Sequence, residues 1–254
     1  MPDLDLARVW LGRAERIVVL TGAGISTDSG ISDFRGPQGL WTKDPAAEKA
    51  SHITSYLADP AVRQRAWQAR AASPTWTAQP NAGHRALVEL EGSGRLHTLI
   101  TQNIDGLHQA AGSDPDKVVE VHGTMREYVC LDCDHRGPME EALGRVRAGE
   151  PDPACESCGG ILKSATISFG QSLVVADLQR AEASARACDL LVAVGSTLAV
   201  FPIADVVPVA VAHGARVVIV NGSPTAMDDL ADVVLTGSIS ERLPALVAGI
   251  SPLA

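Results

Sequence analysis

The strongest constraint on the fold is a set of six short apolar runs: Ile17 to Leu20, Leu96 to Ile100, Val118 to Val121, Leu190 to Val194, Val217 to Val220 and Val233 to Leu235. Each is near-continuous rather than alternating, the pattern of strands buried on both faces. Helix-like stretches such as His84 to Leu90 and Ala176 to Ala187 separate several of them, as the crossovers of a parallel sheet require. The expected fold is therefore α/β, a doubly wound, Rossmann-like parallel sheet. With 254 residues and 46% hydrophobic content, the chain can bury such a core as one large domain, or as a large one with a small satellite. Two segments break the pattern. Residues 37–82 carry Gly39-Leu40-Trp41, an Ala/Arg-rich stretch and Pro74 to Pro80, while 126–162 hold paired cysteines and little else that is apolar. Both read as insertions. There is no internal repeat and no low-complexity tract.

In a doubly wound sheet, ligands bind beyond the carboxyl ends of the strands. Directly after Ile17 to Leu20 the chain reads Thr-Gly-Ala-Gly-Ile-Ser-Thr-Asp-Ser-Gly-Ile-Ser-Asp-Phe-Arg-Gly, residues 21–36. Gly22 and Gly24 permit a sharp turn and bring bare backbone N–H groups against a pyrophosphate. Thr27 stands where a G-x-G-x-x-G loop has its third glycine, and no second strand follows to deliver an acidic residue to an adenosine ribose, so an ordinary dehydrogenase fits poorly. A tight turn would explain the glycines alone. It would not explain Ser26, Asp33, Phe34 and Arg35, which place a hydroxyl, a carboxylate, an aromatic face and a guanidinium in one loop. Gln102-Asn103, His122, Gly195-Ser196 and Asn221 follow other apolar runs and fall at the same edge.

Four of the five cysteines form Cys130-x-x-Cys133 and Cys155-x-x-Cys158. Two such knuckles supply four thiolates and close a tetrahedral zinc shell with no open position for water, which makes the site structural. Disulfides or free core thiols are the alternatives, disfavoured in a reducing cytoplasm. Cys188, alone before a strand, reads as a small buried hydrophobe. The formal net charge of −9 leaves no basic stripe for nucleic acid and suits basic, lysine-bearing partners. No apolar stretch reaches the length of a membrane span, and Met1 to Arg16 lacks a signal-peptide core, so the expected location is cytoplasmic.

Residues 21–36 resemble the first signature of the sirtuins, NAD-dependent protein lysine deacylases, here of the zinc-containing bacterial type. Thr101-Gln102-Asn103-Ile104-Asp105-Gly106-Leu107-His108 is similar to their second signature, Val121-His122-Gly123 to the segment with the catalytic histidine, and Gly195-Ser196-Thr197-Leu198 and Val220-Asn221-Gly222 to later NAD-contacting turns. The likeness runs from about residue 17 to about 244. It implies a small domain made of 37–82 as helical module and 126–162 as zinc module, with 1–36, 83–125 and 163–254 forming the NAD-binding domain. The acyl-lysine substrate would enter the cleft between them.

The resemblance also implies roles. The bond between nicotinamide and its ribose breaks, the acyl oxygen attacks C1′ to give an alkylimidate, and His122 is the base for a ribose hydroxyl, with Asn103 beside it. A histidine at a strand end is otherwise often structural. Gln102, Asn103, Ile104 and Asp105 would face the nicotinamide ribose and carboxamide, although Asn-Ile-Asp-Gly also makes turns unaided. Gly22, Ala23, Gly24, Ser26, Asp33, Phe34 and Arg35 would line the cofactor, as would Gly195, Ser196 and Thr197. Asn221, Gly222, Ser223 and Ile239 would serve the adenosine side. The substrate peptide would lie as an added strand between Ile167 to Gln171 and Gly195 to Val200, with the Ile167 carbonyl on the acyl-lysine N–H and Phe169 lining the acyl tunnel.

Two departures concern the substrate. Lys163-Ser164 and Gln171 stand where sirtuins usually have Arg-Pro and Glu. Sirtuins that prefer succinyl or malonyl lysine carry Tyr-x-x-Arg in the helical module, and this chain reads Trp67-Gln68-Ala69-Arg70. The missing phenol favours acetyl over succinyl, with Arg70 either a carboxylate partner or a solvated residue. Two other functions remain open at this level: a mono-ADP-ribosyltransferase with the same nicotinamide cleavage, and an NAD-sensing binding module. The latter has no need of His122 as a base.

Overall fold

A computed structural model describes residues 2–34, 36, 39–43 and 51–253. Arg35 lies outside the described residues. The strands are β1 (Ile17–Thr21), β2 (Leu96–Thr101), β3 (Val118–Glu120), β4 (Gly123–Cys130), β5 (Arg136–Pro138), β6 (Leu162–Thr166), β7 (Leu190–Val194), β8 (Arg216–Asn221) and β9 (Val233–Thr236). Among the described residues, six of them make a parallel sheet in the order β3-β2-β1-β7-β8-β9. The chain winds outward from β1 to β3, then crosses back to β7 and winds out the other way. The strand order therefore reverses between β1 and β7, the place where such sheets open a crevice.

All five residues of β1 and of β7 are buried, and the reason is the period of two along a strand. Ile17 and Val19 point to one face, where they share a core with Val192, Val194, Val218 and Val220 and with helices Pro2–Arg13, Ala82–Gly92 and Ile239–Val247. Val18 and Leu20 point to the other, with Leu191, Ala193, Val217 and Ile219, against helices Val175–Ala187 and Val206–Ala212. A sheet covered on both sides explains why the apolar runs are continuous. Cys188 belongs to the second of these cores.

A smaller antiparallel sheet has the order β5-β4-β6. Its long ribbon joins two places of interest. Gly123 pairs with Thr166 at one end, and Cys130 pairs with Leu162 at the other, with a register shift between Gly123 and Tyr128. Gly123 is required where it stands: its φ is +71°, and a Cβ would fall 2.1 Å from the Ala165 carbonyl oxygen. A third core holds this region together, with Trp67 from helix Pro60–Ala71, Met139, Ala142 and Leu143 from helix Met139–Arg147, and Tyr128, Cys130, Cys155 and Leu162. It unites the two segments read as insertions. The ribbon itself runs a few residues past the expected limits of 126 and 162, because β4 starts at Gly123 and β6 ends at Thr166.

Candidate active site

The carboxyl ends of the parallel strands open into a cleft of about 1790 Å³. Its floor is two loops packed backbone to backbone. Gly24 N donates to Gly195 O at 2.8 Å, and a Cβ on Gly24 would come 2.8 Å from Gly195 Cα. Gly195 has φ +65°, and a Cβ there would meet Ile25 N at 2.4 Å. These glycines are needed for the loops to touch as well as for a ligand to approach. Gly22, Ala23, Gly24, Asp33, Phe34, Gln102, Asn103, Ile104, His122, Gly195, Ser196, Thr197, Asn221, Gly222, Ser223 and Ile239 all line the cleft, so most of the expected cofactor residues come together. A long cleft with bare backbone at its floor and amides and hydroxyls along its walls fits a dinucleotide. Thr27, in place of a third glycine, donates to Gly24 O at 3.0 Å and braces the first turn.

His122 follows β3 and is held by Gln102. Its Nδ1 lies 3.0 Å from the Gln102 carbonyl, an acceptor only, so Nδ1 carries the proton and Nε2 keeps a lone pair. Burial pushes the imidazole below its ordinary range, and the Gln102 carbonyl opposes this in part. The neutral ring is therefore the dominant form at neutral pH. Gln102 is itself fixed, its Nε2 donating to Ser196 Oγ at 2.9 Å. The His122 carbonyl accepts from Ile167 N at 2.7 Å, tying the base to the loop expected to hold the substrate.

Ser26 and Asp105 differ from expectation. Both are buried, at 1% and 5% exposure, and they stand behind the cleft wall rather than on it. Asp105 Oδ2 accepts from Ser26 Oγ at 2.7 Å and Oδ1 from Leu107 N at 2.9 Å. Asn103, which does line the cleft, donates from Nδ2 to Ser26 Oγ at 3.2 Å. The backbone of this loop is pinned by Arg126, whose Nη2 donates to Asp105 O at 2.7 Å, and by Met125 N to Ile104 O at 3.0 Å.

On the substrate side, Ile167, Phe169 and Val200 line the cleft. One edge of the 167–171 loop is paired with residues 51–53, through Phe169 N to Ser51 O at 3.2 Å and Ile53 N to Phe169 O at 2.9 Å. Gln171 closes the loop by accepting from Ser168 N at 2.9 Å. Trp67 is a correction. It is fully buried in the third core and does not line the cleft, since its place on the helix points it at Tyr128 and Met139 rather than outward. A phenol nevertheless reaches the cleft, from a helix the motif does not cover. Tyr56 of Ile53–Ala58 lines it and donates to Leu162 O at 2.7 Å. Arg70 lines the cleft beside it, its guanidinium carbon 5.7 Å from the Tyr56 ring centroid, and Arg70 Nη1 is buried with no hydrogen-bond partner among the described residues. Lys163 is buried nearby, donating to the carbonyls of Ser164 and Thr166. Burial first, then the Arg70 charge, push its ammonium down to about 7. Among the described residues neither cation has an ion-pair partner. Tyr56 was missed because no motif marks it, and Lys163 was read only as a departure from the usual Arg-Pro.

The cysteines meet at the far end of the ribbon. The Sγ atoms of Cys130, Cys133, Cys155 and Cys158 lie within 4.8 Å of one another, with Cys130 to Cys158 at 3.5 Å and Cys133 to Cys155 at 3.8 Å. Bridged disulfides are excluded at such distances. The edge of a tetrahedron with Zn–S about 2.3 Å is about 3.8 Å, so the set fits zinc. Asp132 N donates to Cys130 Sγ at 3.4 Å, and the Asp132 carboxylate accepts from Ile161 N at 3.0 Å, which locks one knuckle to the other. No cysteine lines the cleft.

Comparison with known proteins places this geometry. A family model described as the Sir2 family matches residues 22–202. NAD-dependent protein deacetylase 2 of Streptomyces coelicolor is 50% identical over 92% of this chain and 97% of its own length. NAD-dependent protein deacetylase 1 of Bradyrhizobium diazoefficiens is 41% identical over 92% and 91%. Among solved structures, a Sir2 variant with a deacetylated p53 peptide and 3′-O-acetyl ADP-ribose superposes with a TM-score of 0.90 at 33% identity, covering 98% of this chain and all of that one. A Sir2 complex with a p53 peptide and NAD gives 0.83 at 33% identity, covering 92% and 93%.

Proposed function

The chain belongs to the Sir2 family, and on that premise we propose that it is an NAD-dependent protein lysine deacetylase, transferring the acyl group to ADP-ribose with release of nicotinamide. The observation that carries this reading is His122, a half-buried neutral imidazole with a free Nε2 lone pair, in the same cleft as the glycine loops and the 167–171 loop. A binding module has no use for such a base. NAD, when bound, supplies a glycosidic bond to nicotinamide whose cleavage makes C1′ electrophilic. The two glycine loops would hold its pyrophosphate, Asn221 and Ser223 the adenosine side, and Asn103, backed by Ser26 and Asp105, the nicotinamide ribose. His122 Nε2 takes a proton from a ribose hydroxyl, and the Gln102 carbonyl stabilises the imidazolium by keeping its Nδ1–H bonded.

We assign 1–36, 83–125 and 163–254 to the NAD-binding part, and 37–82 with 126–162 to a small domain. An acyl-lysine peptide would lie between the 167–171 and 195–200 loops. Zinc, held by the four cysteines, would be structural, and thiolates of this kind suit the cytoplasm.

The acyl end of the cleft is lined by an arginine with an unused donor, next to a phenol, with Lys163 buried nearby outside the lining. That set supports a carboxylate-bearing acyl chain such as succinyl as an additional substrate, against the expectation drawn from the missing motif tyrosine. The competing reading, a mono-ADP-ribosyltransferase, is separated by mass spectrometry after incubation with NAD and an acetylated protein. Deacetylation leaves an acceptor lighter by one acetyl group, and the competitor leaves one heavier by ADP-ribose. The second result alone would overturn the proposal.

A further inference from the structure

Helix Pro60–Ala71 carries three arginines and no acid, and the arginines have different surroundings. Arg63 is spent inside the fold: its Nε pairs with Asp152 Oδ2 at 2.8 Å, and its Nη1 donates to the carbonyls of Tyr56 and Leu57. Arg70 is the buried arginine at the acyl end. Arg65 lines the same cleft but is exposed, so it stands at the mouth. Among the described residues it has no ion-pair partner. The sequence explains why. A helical partner for Arg65 would stand three or four residues away, and those positions are Ala61, Val62, Gln68 and Ala69.

Charge is divided along the cleft. Among the described residues, its lining carries the carboxylates of Asp28 and Asp33 and the guanidinium groups of Arg65 and Arg70. Both acids belong to the first glycine loop. Asp28 lies in the turn Ala23–Ser29 that follows β1, and Asp33 closes on its own loop by accepting from Gly36 N at 3.1 Å. The two loops that would flank a peptide, 167–171 and 195–200, contain no charged residue at all. Gln171, neutral itself, spends its side-chain oxygen on Ser168 N at 2.9 Å. The formal charges on the substrate side are therefore both positive, in a chain whose formal net charge is −9. Exposed charges are screened beyond about 8 Å at physiological ionic strength, so a peptide in the slot responds to the groups that line it and not to the total.

We propose that Arg65 is a specificity residue: it selects acyl-lysine peptides that carry an Asp or Glu close to the acyl-lysine, pairing its guanidinium with that carboxylate at the mouth of the cleft. The inference rests on the reading of the site as a deacetylase with its peptide between the 167–171 and 195–200 loops. Arginine suits the task, since its planar fork donates two parallel N–H···O bonds to one carboxylate. The role is distinct from that of Arg70, which is buried and lies at the acyl end. Because Arg65 pairs with a part of the substrate that does not react, it holds ground state and transition state alike and acts on KM, leaving kcat nearly unchanged. Basic partners, which the overall charge favours, are disfavoured at this one place.

The test is a panel of acetyl-lysine peptides that differ by a single Asp, Ala or Lys, moved through the positions on either side of the acetyl-lysine. Two quantities are read at low salt: kcat/KM for deacetylation, and peptide affinity by fluorescence anisotropy in the presence of ADP-ribose. At the best position Asp is expected to exceed Lys by about fivefold in both, through KM, with the ratio shrinking as salt is raised. Arg65→Ala should bring that ratio to within about twofold of unity, and Arg65→Glu should invert it, since a carboxylate then meets Asp with repulsion and Lys with attraction. Gln171→Glu supplies a second variant. It keeps an acceptor for Ser168 N while adding a negative charge to the cleft lining, and should weaken the preference for Asp with Arg65 in place. A flat panel in the wild-type protein would overturn the proposal, and so would an Asp preference that survives in Arg65→Glu. A rise in the KM for NAD in Arg65→Ala with the peptide ratio unchanged would also overturn it, assigning the arginine to the cofactor. A wild-type protein that deacetylates none of the peptides would overturn the proposed function, with the anisotropy ratios still deciding whether Arg65 selects acidic peptides.

Discussion

His122 can act as a base because its other nitrogen is occupied. The Gln102 carbonyl fixes the tautomer, and burial moves the pKa down from 6.5. The acid limb of the kcat/KM profile is therefore expected below pH 6.5, activity falling only as pH drops through the lowered value and the ring protonates. A limb above 6.5 would contradict the assignment. Replacing His122 by Ala should cut deacetylation by roughly 10²–10⁴-fold and leave NAD affinity nearly unchanged, as read by single-turnover kinetics and calorimetry. Arg70 carries a prediction of the other kind. Arg70→Ala should lower kcat/KM for a succinyl-lysine peptide at least about tenfold, from about 1–3 kcal/mol of lost pairing, with the acetyl-lysine value within about threefold. An equal loss on both peptides would make Arg70 a packing residue. At this scale the sequence was informative where chemistry and motif coincide, as at His122, Asn103 and Gln102. It misled at Trp67, since Tyr-x-x-Arg spacing says nothing about a phenol arriving from the preceding helix at Tyr56.

The elements that matter are the parallel strands and the β4–β6 ribbon. The strands could be read from the sequence because burial on both faces leaves unbroken apolar runs, and each expected run coincides with an observed strand to within a residue or so at either end. The ribbon could not. The β4 burial pattern is mixed, and β6 buries Lys163 and Ser164, so neither shows the periodicity that marks a half-buried strand. The cysteines announced the zinc site by spacing alone. Because the knuckles cap the end of this ribbon, Cys130→Ser or Cys155→Ser should release the metal and lower the melting temperature together, with soluble yield falling as the third core loosens. Metal analysis of protein purified without chelator should give one zinc per chain. Clearly less, with an unchanged melting temperature in the serine variants, would argue for free thiols.

In the whole molecule, two sheets meet at one cleft. The parallel sheet brings the glycine loops, Asn103 and Asn221 to the point where its strand order reverses, and the ribbon brings His122 and Ile167 to the same place through one backbone hydrogen bond of 2.7 Å. The acyl-lysine and the cofactor are thus expected to meet beside the base, which is the central claim. Its most direct test is quantitative mass spectrometry of the products after incubation with NAD and an acetyl-lysine peptide. The account predicts free lysine peptide, nicotinamide and O-acetyl-ADP-ribose in equal amounts, all three lost together in His122→Ala. Nicotinamide release with the peptide still acetylated and no O-acetyl-ADP-ribose would contradict it.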